Sequence, residues 1–206
     1  MPTLEGHRRG YDKIKQAGQW CLDRNVKYLT VYAFSTENWN RSKEEVGYLM
    51  KLLKDALTND VDYFHELGIQ IRISGIKEQL NAELQEAIIL AEKKTKDNQK
   101  GVLNICLNYG GRPEILSAVK KIVASGLGAD EITEQLIQDN LWTAGIPDPD
   151  LIVRTSGEQR LSNFLTWQSS YAELMFIPEN WPDFSEEILD HIINDFNSRS
   201  RRFGGN

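Results

Sequence analysis

The sequence predicts an α/β fold: a mostly parallel central sheet flanked by helices. Three observations carry that expectation. Short runs rich in β-branched and aromatic residues recur along the chain and read as strands. The segments between them place apolar residues every third or fourth position, the period of an amphipathic helix. Strands separated by helices of this length need right-handed crossovers, and those make neighbouring strands parallel.

The elements follow in order. Residues 11–24 read as a helix, with Ile14, Ala17 and Cys21 on one face. Residues 26–34 (VKYLTVYAF) read as a strand. One long amphipathic helix is expected over 42–66, its apolar stripe running from Val46 through Leu49, Met50, Leu53, Ala56, Leu57 and Val61 to Phe64. Ser42 and Glu45 have the spacing of a capping box at its start. Strand 69–74 (IQIRIS), helix 78–98, strand 102–107 and helix 112–125 follow, then one or two short helices within 132–142. Pro147 and Pro149 mark a loop before strand 151–154; a last strand is expected at 173–177 and a last helix at 185–199.

Composition narrows the classes. The chain has 206 residues, 40% hydrophobic and 26% charged, which suits one globular domain. A net charge of −6 argues against general nucleic-acid binding. Nothing approaches the ~20 consecutive apolar residues of a membrane span. Cys21 and Cys106 lie far apart in apolar settings without metal-ligand spacing, and read as buried reduced thiols of a cytoplasmic protein. His7, His65 and His191 are scattered, so no zinc site is expected.

In open parallel sheets ligands bind beyond the carboxyl ends of the strands, and there the loops are unusually polar. Residues 35–41 (STENWNR) follow a strand and precede a capped helix, a setting that can accept anionic oxygen or form an ordinary loop with a packing tryptophan. Arg154 ends a strand, and Arg160 and Ser162 follow within one short loop. Two separated guanidiniums can grip a polyphosphate, or the loop can close a surface ion pair through Glu158. Glu173 could hold Mg²⁺ beside phosphates, because that ion needs only one or two protein carboxylates. It could equally be a salt-bridged glutamate. His7 could bind phosphate or be structural.

Taken in order, GlyHisXaaXaaGly, TyrAlaPheSerThrGluAsnTrpAsnArg, AsnTyrGlyGlyArg, ArgThrSerGlyGluGlnArgLeuSerAsnPhe, TyrAlaGluLeu, TrpProAspPhe and ArgArgPheGlyGly resemble the cis-prenyltransferases, most nearly the bacterial undecaprenyl diphosphate synthases. The likeness runs from Gly6 to Gly205, and residues 1–206 read as a single domain of that kind. It implies condensation of isopentenyl diphosphate onto an allylic diphosphate, usually farnesyl diphosphate, with Mg²⁺ as cofactor. The product would be a long cis-polyprenyl diphosphate, the precursor of a cell-wall lipid carrier. By likeness, Arg154, Arg160, Leu161 and Ser162 bind isopentenyl diphosphate, and Glu173 binds Mg²⁺. Asn38 matches a residue implicated in proton removal. Ser35, Thr36, Glu37, Trp39 and Arg41 match the substrate loop, and His7 a histidine beside the allylic diphosphate. Ala33, Leu49, Met50 and Leu53 are candidates for an apolar product tunnel. The segment Arg202-Phe203-Gly204 resembles one that reaches a neighbouring subunit, which implies a homodimer. A cytoplasmic protein touching the inner face of the membrane to release product is implied as well.

The front of the chain departs from that pattern. In the family a strand and an AspGlyAsnXaaArgTrpAla loop precede the Gly-His segment, which here begins at Gly6; a position that is often Arg is Thr3. The expectation is an N-terminally truncated domain whose first strand is missing, whose Glu173 lacks a partner carboxylate, and which is inactive or impaired. The alternative is a non-catalytic subunit that supports an active chain.

Overall fold

The computed structural model describes residues 3–199; the Arg202-Phe203-Gly204 segment lies outside them. In chain order the elements are α1 (Thr3–Asp23), β1 (Tyr28–Ser35), α2 (Lys43–Asn59), α3 (Val61–Glu66), β2 (Ile69–Ser74), α4 (Ala82–Thr95), β3 (Gly101–Tyr109), α5 (Gly111–Ala124), α6 (Glu134–Asn140), β4 (Leu151–Arg154), β5 (Glu173–Phe176) and α7 (Glu186–Ser198). The alternation expected from sequence is therefore present, and every strand pairing is parallel.

The sheet comes in two pieces. β3 lies between β1 and β2, with Ile105 opposite both Val31 and Ile73. β4 and β5 form a separate pair in which Leu151 faces Glu173 and Arg154 faces Phe176. β3 is the centre of the larger piece: eight of its nine residues are buried, as a strand covered on both faces and both edges should be.

The two edges of that larger piece are finished differently. On the outer edge of β2, side chains satisfy the backbone. The Ile71 N–H donates to Thr95 Oγ1 at 2.9 Å and the Ile73 N–H to Glu92 Oε1 at 2.9 Å, while Asn98 Nδ2 donates to the Ile69 carbonyl at 2.8 Å. β1 has no such side-chain caps on residues 28–34 among the described residues. The loops that follow β1 and β4 meet, where Asn163 Nδ2 donates to Glu37 Oε1 at 3.0 Å, so both strands point toward one end of the molecule.

Three apolar layers fix the elements. The largest packs α1, α2 and α4 on the three-stranded sheet through Ile14, Leu53, Leu84 and Ile88 against Phe34, Ile71, Leu103 and Leu107. The second gathers Cys21 of α1 and Leu189 and Ile192 of α7, with Leu29 of β1 and Leu151 and Val153 of β4 packed against it. The third, on the opposite face, joins Cys106, Tyr109, Ile152 and Leu165, with Tyr32, Leu161 and Phe164 against them. Both smaller layers thus span the gap between the two sheets.

Three local features differ from the expectation. The first helix begins at Thr3 rather than at Tyr11, so it includes His7. The expected long helix breaks at Asp60, whose carboxylate is drawn toward α1 by Tyr11 Oη at 2.9 Å and Lys15 Nζ at 2.8 Å. Ser42 caps α2 by accepting from the Glu45 N–H at 3.2 Å, but the Glu45 carboxylate turns to His7 and Arg41. Cys21 and Cys106 are both buried and unpaired, and burial pushes the Cys21 thiol up to about 11. No helix among the described residues is long and apolar enough to cross a membrane.

Candidate active site

A cavity of about 1590 Å³ opens between the two sheets. At the carboxyl ends of β1 and β4 its wall carries His7, Ser35, Glu37, Asn38, Arg41, Arg154, Leu161 and Ser162. Eight residues singled out in sequence, drawn from α1, the last residues of β1 and β4 and the loops that follow them, therefore share one surface. Thr36, Trp39, Arg160 and Glu173 are not on that wall.

The loop after β1 is a five-residue 3₁₀ turn, Thr36–Asn40. Asn38 closes it: its Oδ1 accepts the Ser35 N–H at 3.0 Å, leaving the amide NH₂ as its donor. Trp39 packs edge-on against Phe34, and its Nε1 donates to Asn108 Oδ1 at 2.8 Å, so it braces the loop. Burial pushes the Glu37 carboxyl up, but hydrogen bonds from Asn163, its own backbone N–H, Ser35 and Thr36 outweigh that and leave it below the usual range.

Glu45 organises the neighbouring cations. One oxygen, Oε1, accepts from His7 Nε2 at 2.9 Å and from Arg41 Nη1 at 2.6 Å. The bond to His7 is the first cause that holds the Glu45 carboxyl below its usual range.

The loop after β4 is bent sharply. Ser156, Gly157, Ser162, Asn163 and Leu165 all have positive φ, between 45° and 70°. Four of them are not glycine, and such a concentration of left-handed residues marks a loop held by its surroundings. Arg154 Nη1 donates to the Arg160 carbonyl at 3.0 Å, which folds the loop back over the end of β4. Arg160 pairs with Glu158, the ion pair that the loop's composition allowed.

Asn163 is the residue that sequence reasoning missed. Its carbonyl accepts the Gly111 N–H at 2.7 Å, its Oδ1 accepts the Arg112 N–H at 2.9 Å, and its NH₂ reaches Glu37. The N-terminal amides of α5 are therefore spent on the loop rather than left for a phosphate. Glycine is required there by space: a Cβ on Gly110 would lie 2.6 Å from Asn163 Nδ2, and one on Gly111 would lie 2.8 Å from the Thr166 backbone nitrogen. Behind this junction Glu114, fully buried, accepts from Tyr109 Oη at 2.5 Å, Thr143 N at 3.1 Å and Gln168 Nε2 at 3.0 Å. The Asn-Tyr-Gly-Gly-Arg motif is thus an anchor for the site loops.

Glu173 stands apart. It starts β5 opposite Leu151, three positions before Arg154 in the register, which is roughly 10 Å along a strand. Its Oε2 accepts from Arg199 Nη1 at 2.9 Å, and Asp195 holds the same guanidinium at 2.6 Å. Among the described residues no group of three or more His, Cys, Asp or Glu could hold a metal ion. A single carboxylate still fits Mg²⁺ where substrate phosphates and water fill the remaining positions. Of the tunnel candidates, Ala33, Leu49 and Leu53 line the cavity and Met50 is core.

What this wall can do follows from its groups. Arg41, Arg154 and His7 beside serine hydroxyls and an amide NH₂ suit phosphate oxygens. The apolar remainder of the cavity suits hydrocarbon. Comparison with known proteins agrees. Residues 1–204 match the family profile described as "Putative undecaprenyl diphosphate synthase". The chain is 46% identical to an isoprenyl transferase of Clostridium perfringens, over 100% of this chain and 83% of that protein. It is also 46% identical to the ditrans,polycis-undecaprenyl-diphosphate synthase ((2E,6E)-farnesyl-diphosphate specific) of Micrococcus luteus, over 100% and 84%. Lavandulyl diphosphate synthase from Lavandula x intermedia, solved in complex with dimethylallyl diphosphate, superimposes with a TM-score of 0.94 at 37% identity, covering 98% of this chain and 89% of that one. With its fold, its site wall and these likenesses in agreement, the chain belongs to the undecaprenyl diphosphate synthase family of cis-prenyltransferases.

Proposed function

We propose that this chain condenses isopentenyl diphosphate onto an allylic diphosphate, with farnesyl diphosphate as the starter, to make a long cis-polyprenyl diphosphate of the undecaprenyl class. The observation that carries the reading is the shared wall: Arg154 and Ser162 from one loop face the same cavity as His7, Ser35, Asn38 and Arg41. In the reaction the allylic carbon–oxygen bond breaks and diphosphate departs. The isopentenyl double bond supplies the electron pair of the new carbon–carbon bond, and a proton leaves the isopentenyl C2. Arg154 and Ser162 would hold the isopentenyl diphosphate, and His7 and Arg41 the allylic one. The Asn38 NH₂ would orient a phosphate oxygen, since an amide is too weak a base to take the proton itself. Glu173, with substrate phosphates, would hold Mg²⁺, which screens the charge of the leaving diphosphate. A homodimer in the cytoplasm, touching the inner face of the membrane, completes the reading.

A second reading, a non-catalytic subunit that supports an active chain, is favoured by one observation: Glu173 is held by Arg199 and is not on the cavity wall. Calorimetric titration with isopentenyl diphosphate, beside an assay with radiolabelled isopentenyl diphosphate, farnesyl diphosphate and Mg²⁺, separates the two. The enzyme reading expects binding and chain elongation. Arg154→Ala should weaken binding by tenfold or more, because a charge-assisted bond contributes about 1.5–3 kcal/mol. Elongation seen only on stimulation of an added active relative would establish the subunit reading. Affinity unchanged in Arg154→Ala would remove that arginine from the site.

A further inference from the structure

The turn that brings Asn38 and Arg41 to the cavity has a support behind it, away from the wall. β3 runs on to Tyr109, while its pairing with β2 stops at Ser74 opposite Cys106. On its other side Phe34 of β1 lies opposite Leu107, and the next residue, Ser35, lies opposite Tyr109. Asn108 is therefore an extra residue without a partner in β1. Such bulges are rare between parallel strands, and beside active sites they re-aim a side chain. Asn108 also has a φ of 49° and is fully buried. A non-glycine residue with that backbone stores strain, and a buried amide is costly unless its hydrogen bonds are made.

Both ends of the Asn108 amide are used, and they go to two different turns. Its Oδ1 accepts Trp39 Nε1 at 2.8 Å, in the turn after β1. Its Nδ2 donates to the Ile76 carbonyl at 3.0 Å and to Gln79 Oε1 at 3.1 Å, in the turn after β2. The Asn108 carbonyl accepts the Ile76 N–H at 3.1 Å. Gly75, with a φ of 143°, lets that turn close, because a Cβ there would collide with the Leu107 carbonyl. Three bonds thus tie Asn108 to the β2 side, and one acceptor reaches across to Trp39. Aspartate could not replace it, having no donor for Ile76 and Gln79 when ionised. Trp39 is 40% exposed, so packing on Phe34 does not fix it alone. Its neighbour Asn38 holds both ends of the turn: Oδ1 accepts the Ser35 N–H, and the Asn38 carbonyl accepts the Arg41 N–H at 3.1 Å.

We propose that Asn108 is a positioning residue for the turn that faces the allylic diphosphate. It carries the position of the turn after β2 to Trp39, and through Trp39 it sets Asn38 and Arg41 on the cavity wall. The proposal rests on the transferase reading. Arg154 and Ser162, on the isopentenyl side, belong to the loop that Asn163 anchors to α5, and that anchor does not involve Asn108. Loss of the support should therefore weaken one substrate and spare the other.

Two variants test it. Trp39→Phe keeps a ring against Phe34 and deletes the donor; its site is partly exposed, so the fold should survive. Asn108→Gly accepts the positive φ and deletes the amide. Amide exchange at Ser35 and Arg41 should speed up at least fivefold in each. In calorimetric titrations with one ligand at a time, the affinity for farnesyl diphosphate should fall fivefold or more, and that for isopentenyl diphosphate less than twofold. The double variant should be no worse than Asn108→Gly, since both changes delete one bond. Unchanged exchange in Trp39→Phe, equal weakening of both ligands, or additive losses in the double variant would each overturn the proposal. A parent chain that binds neither ligand would instead overturn the transferase reading. Exchange at Ser35 and Arg41 needs no ligand, and would still establish or overturn the coupling of the two turns.

Discussion

The two edges of the three-stranded sheet have been built to different ends. At β2, α4 lays Glu92 and Thr95 along the edge, and the backbone is satisfied before solvent can reach it. At β1 the edge faces a cavity, and β4 faces the same cavity from the other side. Burial differs only where β1 begins: Ile69, Ile71 and Ile73 of β2 are each at most 4% exposed and Phe34 of β1 is 1% exposed, whereas Tyr28 at the start of β1 is 37% exposed. The lesson is that an edge strand is recognised by its amides and not by its side chains: β1 is as apolar as β2, yet only β2 is finished.

The largest expected effect tests whether the closed flank is the stable unit. Leu103, 1% exposed at the centre of β3, packs within the main layer. Leu103→Ala should cost about 2–5 kcal/mol in urea unfolding, the range for a buried leucine that leaves a cavity. Leu29→Ala on β1 removes the same atoms beside a space that is already open. It should cost about half as much or less, because partial exposure reduces the transfer loss and no new enclosed void forms. Equal losses would show that β1 is as tightly supported as β3 and would erase the comparison.

The next effect isolates the edge cap. Thr95 is fully buried; its Oγ1 accepts the Ile71 N–H and donates to the Ala91 carbonyl at 2.9 Å. Thr95→Val keeps the shape and deletes the acceptor, leaving a buried N–H unpaired at a cost of about 1–3 kcal/mol. Exchange at Ile71 should then approach the faster exchange expected along β1. A Thr95→Val protein with unchanged stability and unchanged exchange at Ile71 would mean that the side-chain cap is incidental.

These effects also mark what the sequence could and could not carry. The strands at 69–74 and 151–154 are bounded in the structure as their composition suggests, because β-branched runs between polar turns are local signals. The helix expected over 42–66 breaks at Asp60, whose side chain is held by Tyr11 and Lys15, contacts made across more than forty residues. The split of the sheet is a matter of which edges meet, and no local pattern encodes it. On the cavity wall, Arg154 and Ser162 were singled out because both lie where a strand runs into one short polar loop and both match a motif of the family. Asn163 and Glu45 were not, since each acts through partners on other elements. Glu173 stood out as a carboxylate in an apolar setting, but its guanidinium partner Arg199 lies just past the end of α7.

The smallest expected effect concerns Glu45, where the site and the open flank touch. Its carboxyl is held below the usual range first by the bond to His7, against a smaller opposing push from burial, and further by Arg41. A carboxyl whose folded value is lowered adds stability that is complete above its unfolded value, near 4.5, and that is lost as the pH falls through the folded value. Acid titration should therefore show a loss of stability beginning below about pH 4.5, and Glu45→Gln should flatten that part of the curve while leaving neutral pH little changed. The same substitution should loosen His7 and Arg41 without removing either. An acid limb identical in Glu45→Gln and the parent chain would mean that the three side chains share a place without sharing a proton equilibrium, and that α1 is tied to the loop after β1 by packing alone.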